Sequence, residues 1–262
     1  MRPKTPFTKG HFRPSNCKAY MTDRDTRYVA HLDILGMSEL VANDLDEAWG
    51  MLSDLVSVRD RANSLALEFT DTGETVNVQD TIKIVTFSDT IVLFTKTHSQ
   101  TELRTLMVIV TEMFHKAIVN CVPVRVGISL GKFYFNDEKS MYAGPALIDA
   151  YHVGERSQWL GISLADSVKD NALELGMTNK NSEVVVNWDI PCKAENINGY
   201  AINWPAIFAH DLTIPHPITP EGFYTAFHST FGPYNDLPET VKAKYINTVD
   251  FMNYYLDKHE NA

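Results

Sequence analysis

Apolar runs and regularly spaced apolar residues divide the first half of the chain into strands and helices. Residues 26–36 (TRYVAHLDILG) form a strongly apolar run closed by a glycine, which is typical of a buried strand. Residues 37–67 carry apolar side chains at helical spacing, with Gly50 as the expected break between two helices. Within residues 81–95, two apolar runs flank Phe87–Thr90, and this pattern predicts a tight hairpin.

The middle of the chain continues with a predicted helix over about 101–120 and an apolar strand pair, or one long bent strand, over 122–135. Gly127 and Gly131 interrupt that apolar stretch, which indicates a bulge or the close approach of another backbone. The next helix is predicted within 144–161, where a proline stands at an early position that helices tolerate.

The last third of the chain predicts a helix over about 164–175, strands within 182–190 and 199–204, and mostly helix over 215–262. The coarse order is therefore β-α-β-β-α-β with additions. This order is that of an α+β fold of the ferredoxin-like, split βαβ type, and it predicts an antiparallel sheet with helices on one face.

Charge is spread unevenly along the 262 residues. The net charge is -10, which argues against a general nucleic-acid binder. Residues 1–24 nevertheless carry six Lys or Arg side chains against one acid, so we expect a flexible basic N-terminal arm. Three parts are predicted: this arm, a core of 25–205, and a mostly helical C-terminal extension of 206–262.

Cysteine usage and hydropathy bear on where the protein works. The three cysteines are widely spaced and form no CxxC pair, which fits a reducing compartment. No apolar run approaches the roughly 18 residues that a membrane helix needs, and the N-terminus lacks the apolar segment of a signal peptide. We therefore expect a cytoplasmic protein with no membrane partner.

Two aspartates stand in unusual places. Asp33 lies inside an apolar strand, and Asp89 lies at the tip of an apolar hairpin. A lone charge in such a strand costs several kcal/mol unless it is paired or ligates a metal. In the predicted topology the two positions are neighbours, so both carboxylates could hold Mg²⁺ or Mn²⁺. Alternatively, Asp89 is simply a turn residue and Asp33 pairs with Arg125.

Four motifs resemble those of class III nucleotidyl cyclases, in order and spacing, over about residues 26–205. They are HLDILGMSEL, FSDTIVLF, VRVGISLG and YAGPALIDAYHVGE, with Ser88 where those enzymes usually have glycine. Within the family the chain looks most like the bacterial antiphage pyrimidine cyclases of the Pycsar system. That resemblance implies conversion of UTP or CTP into cUMP or cCMP, dependence on Mn²⁺, a homodimer with active sites at the interface, and an effector that senses the cyclic nucleotide.

The resemblance also assigns positions that read the base. Purine cyclases use polar residues where this chain has Val85 and Met141, so selection of adenine or guanine is not expected. Lys83 shares a strand face with Asp89 and could reach a base carbonyl or a phosphate, unless it is a solvated edge lysine. Tyr28 could stack on a base, unless it is a core or surface tyrosine.

The transition-state Asn and Arg of the family fall at Ile148 and His152, neither of which can do the usual work. Arg156 lies one helical turn beyond His152 and is the candidate for neutralising charge on the phosphates, with a surface ion pair to Glu155 or Asp149 as the alternative. Lys132 and Arg125 are further cationic candidates.

The mechanism that the resemblance implies uses two Mn²⁺ (or Mg²⁺) ions between Asp33, the carbonyl of Ile34, and Asp89. The ribose 3′-hydroxyl attacks the α-phosphorus and pyrophosphate leaves. UTP is the preferred expectation as substrate, and the product is expected to act as a second messenger in antiphage defence. Alternatives are a cytidylate cyclase, an adenylate cyclase, and a non-catalytic relative that binds nucleotide or protein. An RNA-binding sheet is disfavoured by the acidic charge and the lack of an RNP1-like strand.

Overall fold

A computed structural model describes residues 25–69, 72–176, 178–179, 182–207 and 217–260. The predicted basic arm and the proline-rich stretch before residue 217 lie outside these residues. Strands in the described part of the chain are β1 (Thr26–Ile34), β2 (Ala66–Phe69), β3 (Glu74–Asn77), β4 (Ile82–Phe87), β5 (Thr90–Thr95), β6 (Val124–Lys132), β7 (Tyr134–Asn136), β8 (Met141–Ala143), β9 (Ile162–Leu164), β10 (Thr178–Asn179), β11 (Ser182–Glu183), β12 (Val185–Ile190) and β13 (Ile197–Ile202).

Helices connect and cover these strands. They are α1 (Met37–Asn43), α2 (Leu45–Asn63), α3 (Val78–Thr81), α4 (Gln100–Val119), α5 (Pro145–Arg156), α6 (Asp166–Glu174), α7 (Trp204–Ile207), α8 (Pro220–Tyr224), α9 (His228–Phe231) and α10 (Glu239–Glu260). Within the described residues, no helix combines the length and the apolar character needed to cross a bilayer.

The main sheet has seven strands in the order β12-β13-β9-β6-β1-β5-β4. Its β6-β1-β5-β4 half, with helices after β1 and β5, is the split βαβ arrangement, so the predicted fold class is confirmed. The sheet is not wholly antiparallel, because β6 and β9 pair in parallel. The reason is that α5 lies between these two strands in sequence, and a helical crossover returns the chain in the same direction.

Helices cover both faces of the sheet, not one face as the sequence predicted. Alternate residues of β1 divide between two cores: Ala30 and Leu32 belong to the large core that includes α2 and α4. Val29 belongs to a smaller core on the other face, where it is clustered with Ala146 and Ala150 of α5. The period-2 alternation of a strand sends successive side chains to opposite faces, so β1 is apolar throughout because both faces are packed.

The break in the first helical region falls at Asp44 and not at Gly50. The Asp44 side chain accepts a hydrogen bond from the backbone N–H of Glu47 (3.0 Å) and so caps the start of α2, while Gly50 lies inside α2. The predicted β4–β5 hairpin is confirmed, with Ser88 at a φ of 51° in its tip.

The C-terminal helices share the large core with the sheet. Phe223, Phe227 and Tyr245 are buried there, and Phe251 of α10 packs its ring edge-on against Trp159, with 4.8 Å between ring centroids. Thr248 of α10 accepts a hydrogen bond from the backbone N–H of Leu160 (2.8 Å). The extension is therefore fixed against the end of α5, although the functional division into 25–205 and 206–262 stays a prediction.

Candidate active site

Asp33 and Asp89 lie on neighbouring strands at one end of the sheet. In the antiparallel pairing of β1 with β5, Asp33 stands directly opposite Thr90, the residue after Asp89. The backbone N–H of Ile34 donates a hydrogen bond to the carbonyl of Asp89 (3.2 Å), which ties the hairpin tip to the end of β1. The adjacency that the topology predicted for the two aspartates is thus present in the fold.

Arg125 of β6 stands opposite Asp33 on its other side and pairs with it. Its Nε and Nη2 donate to Oδ2 of Asp33 at 3.0 and 2.9 Å, and its Nη1 donates to the carbonyl of Glu155 at 2.8 Å. The Arg125 side chain is 11% exposed and that of Asp33 is 23% exposed. The ion pair considered as an alternative from the sequence therefore exists, and it engages one oxygen of the carboxylate.

The donor groups at Asp33 and Asp89 are of the kind that hard divalent cations prefer. Mg²⁺ and Mn²⁺ prefer carboxylate oxygens, and Mg²⁺ commonly takes one or two carboxylates together with water and substrate phosphates. Among the described residues there is no group of three or more His, Cys, Asp or Glu side chains suited to a metal. A cation bound here would consequently depend on Asp33, Asp89 and oxygens supplied by the backbone, the solvent or a phosphorylated ligand.

His31 is a residue of this site that the sequence analysis did not single out. It lies two positions before Asp33 on the same face of β1, and its ring meets that of Tyr151 edge-on at 5.3 Å between centroids. Burial lowers the pKa of His31, opposed by the nearby charges of Asp33 and Asp89. The neutral imidazole is therefore favoured. The signal for His31 in the sequence is its spacing: two polar residues, His31 and Asp33, stand two positions apart in an otherwise apolar strand.

Val85 and Lys83 lie farther along the same face of the sheet. Val85 is opposite Val92, which is in turn opposite His31, and it packs against the smaller core. Lys83 lies two residues before Val85 on β4. It is about 13 Å from Asp33 along the direction of the strands. Its ammonium forms an ion pair with Asp137 and lies 5.2 Å from the ring centroid of Phe135. The lysine is therefore a partnered surface residue in this structure.

Met141 and Tyr28 take very different positions. Met141 begins β8 and is 60% exposed. Tyr28 is 0% exposed in the large core, on the sheet face opposite to Asp33. Its hydroxyl accepts a hydrogen bond from the Asn171 amide (2.7 Å) and donates to the carbonyl of His98 (3.3 Å). The expected stacking of Tyr28 on a base is corrected accordingly: the ring does not face the carboxylate pair.

Helix α5 presents the positions that the sequence compared with transition-state residues. Ile148, His152 and Arg156 form one stripe at four-residue spacing, and all three are exposed. Arg156 ends the helix, and no hydrogen bond or ion pair of its guanidinium occurs within the described residues. Glu155, an alternative partner, pairs with Lys193 instead.

Two glycines bring α5 against the sheet. A Cβ on Gly127 of β6 would lie 2.1 Å from the carbonyl oxygen of Ala150 and 2.6 Å from the backbone nitrogen of Gly154. The close backbone approach predicted for Gly127 is confirmed. It sets the height of α5 above the sheet, and thereby the position of Tyr151 against His31.

No known protein-family profile matches the chain, and no curated protein is significantly similar to it in sequence. Among solved structures, a bacterial light-regulated adenylyl cyclase is 11% identical, with a TM-score of 0.49 over 79% of this chain and 98% of that one.

Two further cyclases are similar in structure. The catalytic core of a rhodopsin-guanylyl cyclase with converted specificity, in complex with ATPαS, is 12% identical, with a TM-score of 0.47 over 68% of this chain and 95% of that one. An adenylate/guanylate cyclase/hydrolase from Silicibacter pomeroyi is 13% identical, with a TM-score of 0.40 over 67% and 94%. Identity at this level leaves the residues of a site free to differ, so the similarity does not extend to substrate or activity.

Proposed function

We propose that the chain is a metal-dependent nucleotide cyclase that converts UTP into 3′,5′-cyclic UMP and pyrophosphate. The observation that carries the proposal is the meeting of Asp33 and Asp89 at one end of the split βαβ sheet. The order and spacing of the four sequence motifs support it independently. The nearest alternatives in chemistry are cytidylate and adenylate cyclases.

Asp33 and Asp89 would hold Mn²⁺ or Mg²⁺, two ions in the complete site, with the carbonyl of Ile34 as a further oxygen. When bound, such a cation neutralises phosphate charge and lowers the pKa of the ribose 3′-hydroxyl. The hydroxyl gives its proton to solvent water, a bond forms from its oxygen to the α-phosphorus, and the bond from that phosphorus to the pyrophosphate oxygen breaks. No protein nucleophile takes part.

The chain's own residues act by positioning and by charge. Arg125 holds the Asp33 carboxylate through two hydrogen bonds to one oxygen. It therefore fixes the orientation of the other oxygen toward a ligand. Arg156 is exposed and unpaired within the described residues, so it is available to neutralise negative charge on the departing pyrophosphate. Such preorganised charge is typically the largest contribution to catalysis of phosphoryl chemistry.

The base preference follows from what the pocket lacks. Val85 and Met141 offer no hydrogen bond to a purine edge. A site lined by these two residues would therefore not select adenine or guanine strongly. Lys83 would meet a base carbonyl only by leaving Asp137. The sequence resemblance favours a pyrimidine, UTP or CTP, and we prefer UTP. The second-messenger role in antiphage defence and the effector that reads the product also come from the resemblance.

A homodimer is part of the proposal. Large apolar side chains are exposed on or beside the face of the sheet that carries the carboxylates: Phe87 at 44%, Met141 at 60%, Ile148 at 57% and Tyr151 at 42%. Clusters of this kind mark interaction surfaces. A second copy seated on this surface would bring its own α5 next to the carboxylates of the first.

Turnover of each of the four ribonucleoside triphosphates with Mn²⁺, with products separated by chromatography, tests the proposal. The expected result is one cyclic pyrimidine nucleotide and one equivalent of pyrophosphate. Asp33→Asn and Asp89→Asn should each reduce the rate at least about a hundredfold. Asp54→Asn changes an exposed carboxylate of α2 and should leave the rate unchanged. Normal turnover in either site variant would refute the metal assignment.

A second candidate is a non-catalytic nucleotide-binding relative. It is favoured by Ile148 and His152, which cannot replace the usual polar pair, and by the engagement of Asp33 with Arg125. The two candidates separate in one experiment: binding of UTP by titration calorimetry together with the absence of any cyclic product supports the relative, and a cyclic product excludes it.

A further inference from the structure

A second group of cations surrounds a cavity next to the candidate site. The cavity, of about 570 Å³, lies between the end of α5, the β12–β13 connection and α10. Its lining includes Lys193, Lys244, Gln158, Asn196 and Asn247. The lining is therefore rich in groups that donate hydrogen bonds, in a chain whose net charge is -10.

The ion pairs around this cavity leave two cations, Lys244 and Arg156, without a partner among the described residues. Asp33 is paired with Arg125, and Glu155 is paired with Lys193. Lys244 makes no hydrogen bond or ion pair through its ammonium with any other residue that the structure describes, and the same holds for Arg156. Two cations beside the cavity are thus without a partner among the described residues, while the neighbouring Asp189 carboxylate accepts a hydrogen bond from Asn196 of the lining (3.5 Å).

The charged form of Lys244 is disfavoured by its surroundings. The side chain is half-buried, and burial lowers its pKa, with a further lowering by the positive charges of Arg125 and Lys193. Asp33 and Glu155 oppose this effect, so the ammonium lies within electrostatic range of the carboxylate of the candidate active site. A cation without a fixed partner under these conditions is suited to an anion supplied from outside.

The walls of the cavity are held rigid by hydrogen bonds. The backbone N–H of Lys193 donates to the carbonyl of Arg156 (3.2 Å), and that of Gln158 donates to Pro191 (2.7 Å). The Asn247 amide donates to the carbonyl of Gln158 (2.7 Å). Three parts of the chain that are distant in sequence are therefore locked around one cationic opening before any ligand arrives, which lowers the entropic cost of binding.

We propose that this cavity receives the terminal phosphates of the nucleoside triphosphate and holds the pyrophosphate product, with Lys244 as its principal cation and Lys193 and Arg156 at its rim. The inference rests on the proposed function, because it assigns the cavity to the substrate of the same site. The chemistry that it requires is a multiply charged phosphate chain, to which ammonium and guanidinium groups donate charge-assisted hydrogen bonds.

The test is titration calorimetry of the full chain with inorganic pyrophosphate, at low ionic strength and with EDTA present. The chelator removes any contribution from a metal at Asp33. The unaltered protein should bind pyrophosphate, UTP should compete with it, and cyclic UMP should not, because the cyclic product lacks the terminal phosphates. Lys244→Met should weaken pyrophosphate binding about tenfold or more, the loss expected for one charge-assisted contact.

Two variants keep this test falsifiable. Lys244→Arg should retain binding to within about threefold, because the charge and donors remain. Lys242→Met removes a lysine two residues away on the same helix, which is paired with Glu239 (3.0 Å), and should bind pyrophosphate normally. Lys244→Met should also unfold no earlier than the unaltered protein on heating, because it removes a desolvated charge. Loss of binding in it therefore reports the contact.

Outcomes on the two proposals are separable. Pyrophosphate binding that is unchanged in Lys244→Met, or absent from the unaltered protein, overturns the cavity assignment even if a cyclic product forms. Pyrophosphate binding with which UTP does not compete also overturns it, and indicates a separate phosphate site. Competition and Lys244 dependence without turnover support the cavity assignment, whereas the cyclase proposal fails.

Discussion

The position of α5 depends on Gly127 having no side chain, and this dependence gives a sharp prediction. In Gly127→Ala, the added methyl group would lie 2.1 Å from a carbonyl oxygen and 2.6 Å from a backbone nitrogen of α5. Neither atom belongs to a side chain that could rotate away. Relief requires the whole helix to move off the sheet.

The loss of stability expected from this clash follows from the distances. Overpacking a core with one extra methyl group typically costs 1–3 kcal/mol, and a clash with main-chain atoms belongs at or above the top of this range. We expect Gly127→Ala to lower the free energy of unfolding by about 3 kcal/mol or more. For a domain of this size, that corresponds to a fall in Tm of about 6–12 °C.

The assay is thermal and urea unfolding followed by circular dichroism, with Gly50→Ala as the matched control. Gly50 is inside α2, and a Cβ there would meet nothing within 4 Å. The same chemical change should therefore raise stability, by up to about 1 kcal/mol, because alanine favours a helix over glycine. The two variants are expected to move Tm in opposite directions.

One result would refute the reasoning: a Gly127→Ala protein with a Tm within about 2 °C of the unaltered chain. The helix would then stand farther from β6 than the structure has it, and the contact of Tyr151 with His31, two residues before Asp33, would not hold. A large loss of stability also in Gly50→Ala would show that alanine is poorly tolerated for reasons unrelated to the α5 contact.

Three further predictions concern buried hydroxyl groups. Tyr28→Phe removes the acceptor of the Asn171 amide, so it should lower the free energy of unfolding in urea by about 1 kcal/mol. UTP binding measured by calorimetry should be unchanged. Weakened binding would show that Tyr28 contacts the nucleotide. Thr248→Val leaves the buried N–H of Leu160 unpaired and should cost about 1–3 kcal/mol, with faster hydrogen exchange at that amide. Burial raises the pKa of Tyr255 to about 12. The stability that its neutral hydroxyl contributes is therefore present below pH 10 and is lost as the pH rises toward 12. Tyr255→Phe should reduce this loss of stability at alkaline pH, measured as the free energy of unfolding from about pH 9 to 12.

Local sequence signals were sufficient to predict that Asp33 and Asp89 lie next to each other at one end of the sheet. The apolar run around Asp33 and the hairpin around Asp89 are each short, and their spacing in a split βαβ order determines which strands are neighbours. The alternation along β1 also determines which of its side chains share a face of the sheet. Tyr28 and Asp33 are five positions apart and must face opposite sides of a strand, whereas His31 is two positions from Asp33 and must share its face.

The break between α1 and α2 was misplaced for a related reason. Gly50 is a weak helix former, but one glycine costs only about 1 kcal/mol, which a packed helix absorbs. Asp44 followed by Glu47 is an N-terminal capping signal, and it decides where α2 begins. The side-chain hydrogen bond outweighs the propensity of a single residue.

The cationic cavity lies beyond what the sequence could supply. Lys193 and Lys244 are 51 positions apart by their numbering, and neither stands in a motif. They line one cavity because Thr248 and Asn247 fix α10 to the segment after α5, and because the β12–β13 connection is hydrogen-bonded to Arg156 and Gln158. Tertiary contacts of this kind leave no periodic pattern in a single sequence.

Arg125 connects the two halves of the candidate site. Its guanidinium binds Asp33 on one side and the carbonyl of Glu155, near the end of α5, on the other. The carboxylate that would face a metal and the helix end that borders the proposed phosphate cavity are therefore tied to one side chain. Since α10 contributes Lys244 to that cavity, the C-terminal extension would be part of the proposed phosphate site. Its removal would take away both a cation and the anchor of the segment that follows α5.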